Sequence, residues 1–209
     1  MFIKCVLNKN YKHIKRGEKE MLSEKYKNIL IVSSIIMGII IISLVGYLGI
    51  NKIRLNNRMK EAKIFAEDFS NLISSEQTEI TYKESKVAGI IEIPRISLKV
   101  PILEETQTDT EEAAGILTGV GLNNVGNTVI VGQSYYKNTA FHDIEKLNIE
   151  DEIYITDVNG LKKTYTINNI YKTNKEDKKY ITENSKGNTK ITLITNTEGE
   201  ILVIQANAD

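Results

Sequence analysis

Thiols are nearly absent from this chain: its 209 residues hold one cysteine, Cys5. No disulfide and no Cys-x-x-Cys metal site can form within the chain, and everything after Cys5 is thiol-free. Histidine is almost as scarce, and His13 and His142 are too few and too far apart to read as metal ligands, so no metal or other cofactor is expected. Proline occurs only at Pro94 and Pro101, where the missing N–H predicts that strands begin or end. Net charge is also zero, but the balance hides an asymmetry. Residues 1–63 carry 13 Lys and Arg against 4 acids, and residues 64–209 carry 14 against 23. Such a split suits a basic part beside anionic lipid and an acidic part elsewhere, and it does not suggest nucleic acid as a partner. The length suits one medium domain plus an anchor rather than two folded domains.

Charge is missing altogether from Ile29 to Ile50, a run of 22 positions. At helical rise it spans roughly 33 Å, enough to cross a bilayer core, and it predicts a transmembrane helix at 29–50. The run is longer than the apolar region of a signal peptide, and no small-x-small cleavage site follows it. The flanking cations tie: Lys15, Arg16, Lys19, Lys25 and Lys27 precede the run, and Lys52, Arg54, Arg58, Lys60 and Lys63 follow it. Lys4, Lys9 and Lys12 tip the balance toward a cytoplasmic N-terminus, residues 1–28, with the C-terminal domain outside the cell membrane.

Residues 51–86 read as a stalk helix followed by a linker. Ile53, Met59, Ile64, Phe65, Phe69, Leu72 and Ile73 recur at roughly helical spacing up to about Ser74, too few heptads for an asserted coiled coil. Ser75 to Lys86 is polar and strand-poor. From Val87 the sequence changes to short β-branched runs separated by turn signals, the pattern of an all-β barrel or sandwich. Strands are expected at 88–93, 98–103, 128–131, 152–157, 162–172, 189–195 and 201–206, and short helices at 109–114, 141–147 and 175–184. Asn159-Gly160 predicts a hairpin turn of type I′, with positive φ at both residues. A barrel of this size leaves strand ends and loops as the place for a site.

Several phrases, in order, resemble the sortase family, the membrane-anchored cysteine transpeptidases of Gram-positive bacteria. Ile91-Glu92-Ile93-Pro94-Arg95-Ile96 is similar to the family's opening strand, and Leu98 to Ile102 to its partner. Gly126-Asn127-Thr128-Val129-Ile130-Val131-Gly132 resembles the stretch leading to the catalytic histidine. Phe141-His142-Asp143-Ile144 with Leu147, then Asp151-Glu152-Ile153-Tyr154, resemble the segments that follow, and Thr192-Leu193-Ile194-Thr195 the strand that delivers the catalytic cysteine. The resemblance covers residues 88–206. It implies a sortase-like eight-stranded β-barrel with short helices, preceded by the transmembrane and stalk helices.

For chemistry the resemblance implies three vacancies. Asn196 stands where the family has cysteine, Gln133 where it has histidine, and Glu200 where it has arginine; no Lys or Arg occurs from Ile191 to Asp209. The family reaction needs a thiolate, a proton-shuttling imidazole and a guanidinium on the oxyanion. An amide is no nucleophile near neutral pH, and glutamine has no useful pKa. A Glu200 carboxylate about 4 Å from a developing oxyanion would repel it by roughly 4 kcal/mol at an effective dielectric near 20.

Three readings follow. The first is a catalytically inactive sortase-family protein, a pseudoenzyme of the cell surface and cell wall. It would bind sorting-signal peptides, surface proteins or a partner sortase through a groove near Ser134, Thr195, Thr197 and Glu198. The second is a peptidase or transpeptidase with a hydroxyl nucleophile, Ser134 or Thr197. His142 is expected in a covering segment away from the site. The third is a transmembrane sensor working through its basic tail. The charged segment 173–188 lies where the family usually builds its signal-recognition loop, but as a solvated charged face it needs no function.

Overall fold

The computed structural model describes residues 2–75, 79–106, 111–182, 187–197 and 199–209, with side chains described from Tyr26 onward except at Thr182. The chain divides into residues 1–52 and residues 53–209. Helix α1 covers Phe2–Ser74. In the first unit its apolar side chains from Ile29 to Ile50 are exposed all round, since no polar face interrupts the run. The helix contains a stretch long and apolar enough to cross a membrane, none of it buried.

In the second unit the strands are β1 (Thr81–Tyr82), β2 (Ser85–Ile93), β3 (Leu98–Leu103), β4 (Ala114–Gly119), β5 (Gly126–Val131), β6 (Glu152–Asp157), β7 (Lys162–Thr173), β8 (Thr189–Asn196) and β9 (Ile201–Ala208). Around the sheet the order is β2-β3-β4-β5-β8-β9-β7-β6, and β6 returns to pair with β2, so eight strands close into a barrel while β1 hairpins onto β2. The β3–β4 and β5–β8 pairs are parallel and the others antiparallel. Alternating residues such as Ile91, Ile93, Ile153, Ile155, Tyr165, Ile167, Leu193 and Ile191 fill the interior. Burial pushes the Tyr165 phenol up to about 12, and its hydroxyl donates to Asn123 Oδ1 at 2.9 Å.

The stalk residues belong to this core. Ala62, Ala66 and Phe69 are buried, Met59, Phe65, Leu72 and Ile73 pack against them, and this recurrence at three and four residues turns one face of α1 onto the barrel. Residues 79–86 of the expected linker are structured too: they contain β1 and the start of β2, with Ile80 and Tyr82 buried. Tyr82 lies 5.0 Å from the Phe65 ring, and burial raises its phenol above the ordinary range. Between β1 and β2 the two turn residues, Lys83 and Glu84, both have positive φ (47° and 68°), although neither is Gly, Asn or Asp. The strain is offset by a contact: Lys83 Nζ donates to Glu112 Oε1 at 2.6 Å, and Glu112 is only 1% exposed.

Elsewhere expectation and structure differ in definite ways. No helix covers 111–114: residues 111–113 form a turn and Ala114 opens β4, while 109 and 110 lie outside the described residues. Ala-Gly composition hides this strand, and its glycine is there for close approach, since a Cβ on Gly115 would lie 3.1 Å from the Glu105 carbonyl oxygen. The helix expected at 141–147 shrinks to a 3-10 turn at Ile144–Lys146. That expected at 175–184 shrinks to helix α2 at Lys179–Thr182, with 183 and 184 outside the described residues. Pro94 does follow a strand end, but Pro101 sits inside β3. It is tolerated on the side of β4, which reaches only Ile102 and Leu103. In the β6–β7 turn only Gly160 has positive φ (78°), so the turn is not type I′; Asp157 Oδ1 accepts from the N–H groups of Asn159 and Leu161 instead.

If α1 is part of the domain core, Phe69→Ala should cost about 3–5 kcal/mol in chemical denaturation of the full chain followed by circular dichroism. A loss below about 1 kcal/mol would mean that the helix face is not packed as described.

Candidate binding cleft at the ends of β5, β7 and β8

Parallel pairing of β5 with β8 aligns Val131 with Ile194. The residues that follow each strand therefore emerge side by side, which is how positions 133 and 196, 63 apart in sequence, become neighbours. Three bonds fix the junction: Gly132 N–H to Ile194 O at 3.2 Å, Thr195 Oγ1 to Gly132 O at 2.8 Å, and Ser134 Oγ to Asn196 O at 2.8 Å. Gly132 is required there because a Cβ would lie 2.5 Å from the Phe141 ring. The Phe141 N–H in turn donates to Gln133 O at 2.8 Å, folding the intervening loop back against β5.

On the other side β9 returns antiparallel to β8, with Asn196 opposite Ile201. The Thr197 N–H donates to Glu200 O at 2.8 Å and narrows the hairpin, and Gly199 adopts φ 89° within it. β7 pairs with β9 and sets Lys172 opposite Leu202, on the same rim.

These strand ends border an open cleft of about 600 Å³. Ser134, Tyr135, His142 and Glu145 line it from the segment after β5, and Lys172, Asn196, Thr197 and Glu200 from the ends of β7, β8 and β9. The structure thus brings together Ser134, Asn196, Thr197 and Glu200. Gln133 is half-buried and does not line the cleft, while Thr195, 1% exposed, is a buried tie between β8 and β5 rather than a surface for ligand. Glu198 lies outside the described residues.

Sequence reasoning missed four of the lining groups, Tyr135, His142, Glu145 and Lys172. His142 is not away from the site but in its wall, with Nε2 3.8 Å from Asp143 Oδ1. A hydrogen bond from Lys146 holds the Asp143 carboxyl below its ordinary range. Lys172 and Glu145 pair at 3.0 Å within the cleft. A cation therefore reaches the rim, from β7 rather than from the segment after β8. No periodicity in the chain announces this, because it depends on the β8-β9-β7 neighbour order. The lining offers hydroxyls, an amide, an imidazole, carboxylates and one ammonium; the chain's one thiol is at Cys5. Among the described residues, no group of three or more His, Cys, Asp or Glu could hold a metal ion.

A closed eight-stranded barrel, with β5 and β8 delivering their ends to one cleft, defines a sortase-type domain. The sequence agrees: the Sortase domain family profile matches residues 91–204, more than half of the chain, and this protein belongs to the sortase family. Among solved structures, the sortase D5 transpeptidase of Clostridium perfringens has a TM-score of 0.57 and 23% identity, covering 73% of this chain and 99% of that one. Sortase A of Corynebacterium diphtheriae gives 0.56 at 25% identity over 74% and 84% of the two chains. Sortase E of Streptomyces avermitilis gives 0.53 at 27% identity over 61% and 91%. No curated protein matches the chain.

The junction is sensitive to small changes. Thr195→Val should lower stability by about 1 kcal/mol by leaving the Gly132 carbonyl unpaired, and Gly132→Ala by about 1–3 kcal/mol by overpacking Phe141. Denaturation midpoints equal to that of the parent protein in both variants would contradict this arrangement.

Proposed function

We propose that this protein is a non-catalytic member of its family, held at a bacterial surface to bind peptides or proteins in the cleft. The observation that carries the reading is the pairing of a retained cleft with Asn196 at the end of β8, in a chain whose one cysteine precedes the apolar run. An amide cannot form the thioester of the family reaction. Its place at the strand end keeps hydrogen-bonding capacity toward a ligand. The ligands that suit the resemblance are sorting-signal peptides, surface proteins carrying them, or a partner sortase. Fluorescence anisotropy with labelled sorting-signal peptides, run beside chromatography for cleavage, tests this directly. Saturable binding without cleavage is expected; cleavage of the peptide by the purified protein would refute the reading.

In this reading the domain lies outside the cell, with the basic N-terminal residues in the cytoplasm of a Gram-positive bacterium. Cys5 is a native probe of that orientation. A membrane-impermeant maleimide should label it only after the cells are permeabilised, and labelling of intact cells would reverse the topology.

One observation favours a second reading, hydroxyl-based peptidase activity: Ser134 and His142 line the same cleft. Against it, the Ser134 hydroxyl donates to the Asn196 carbonyl, so its proton is committed to the backbone rather than to a base. Peptide turnover abolished by Ser134→Ala with Thr197→Val would establish that alternative, and turnover untouched by both would remove it.

A further inference from the structure

We infer that the cleft selects ligands carrying a free ammonium or guanidinium group, that is, basic peptides, with Glu200 as the recognising carboxylate. This rests on the reading of the cleft as a peptide-binding site and adds the chemistry of what enters it.

The backbone of Glu200 is fixed at the cleft rim. Its carbonyl accepts from both the N–H and the hydroxyl of Thr197, at 2.8 and 3.2 Å, and the next residue, Ile201, is locked opposite Asn196 in the β8–β9 ladder. Its carboxylate is exposed, lines the cleft and has no ion-pair partner among the described residues.

The same cleft already seats one ammonium. Lys172 Nζ lies 3.0 Å from Glu145 Oε1, a cation supplied by the chain itself and bound to a cleft carboxylate. The carboxylates of the lining, Glu145 and Glu200, outnumber its one ammonium, and no Lys or Arg occurs from residue 191 to residue 209. An approaching cation is attracted by such a wall, and a carboxylate-bearing peptide is repelled.

Strand addition at these two strands is also closed off. β8 is paired on both edges, with β5 and β9, and β9 with β8 and β7, so neither strand offers a free edge for an extended peptide to join. Selection therefore falls on side chains, and among the charged groups of the lining Glu200 is the one with no ion-pair partner among the described residues.

The test uses the full chain in detergent and two fluorescein-labelled octapeptides, one of alternating Gly and Lys and one of alternating Gly and Glu. Anisotropy titrations should show the Gly-Lys peptide binding at least tenfold tighter. Glu200→Gln should weaken it at least fivefold and Glu200→Arg at least twentyfold, while Glu152→Gln, outside the cleft, changes affinity less than twofold. Asn196→Trp, which fills the cleft from an exposed position, separates two kinds of failure. Binding blocked by Asn196→Trp but indifferent to both Glu200 substitutions would overturn the cation preference and leave the cleft as the binding site. Binding indifferent to Asn196→Trp, or absent for both peptides up to millimolar concentration, would overturn the cleft reading and this inference together.

Discussion

The parallel ladder between β5 and β8, six residue pairs from Gly126–Thr189 to Val131–Ile194, governs what the barrel can present. Two strands that run the same way end on the same rim, so whatever follows each of them meets its counterpart. A parallel pair cannot be joined by a tight hairpin, and the long connection it requires contains the loop with Tyr135 and His142, the 3-10 turn with Glu145, and strands β6 and β7. The cleft is therefore a by-product of topology, walled on one side by that connection and on the other by the strand ends. Thr192 Oγ1 reinforces the ladder by donating to Asn127 Oδ1 at 2.9 Å, and Thr195 reinforces it at the rim.

Scaffold and chemistry separate in this molecule. The groups that hold the cleft open, namely Gly132 under Phe141, Thr195 on the Gly132 carbonyl and Thr197 on the Glu200 carbonyl, act through packing and backbone hydrogen bonds. None of them depends on which side chains stand at 133, 196 and 200. A barrel can thus keep its shape whichever side chains stand at those positions. Docking of α1 works the same way: its contribution is burial of Ala62, Ala66 and Phe69, with the Lys83–Glu112 pair clamping the adjoining hairpin.

Legibility in the sequence followed local chemistry. β3 and β6 were readable to the residue because their β-branched runs begin and end at clear turn signals, and the apolar run at 29–50 could be read from composition alone. β4 was not, since Ala114-Gly115 looks like a helix or a turn until its neighbours require a strand between β3 and β5. β1 was hidden by Lys83-Glu84, a turn whose residue types oppose its geometry and which survives through a contact made 29 residues away. The positions 133, 196 and 200 came from phrases resembling a family. His142, Glu145 and Lys172 could come only from the three-dimensional neighbour order, which no window of sequence contains.

The central claim is that the cleft holds its ligand without a covalent step. Intact-mass measurement of the full chain after incubation with a sorting-signal peptide tests this most directly. The account predicts an unchanged protein mass and an intact peptide. A mass increase equal to the acyl fragment of the peptide, mapped to any residue of 53–209, would contradict it.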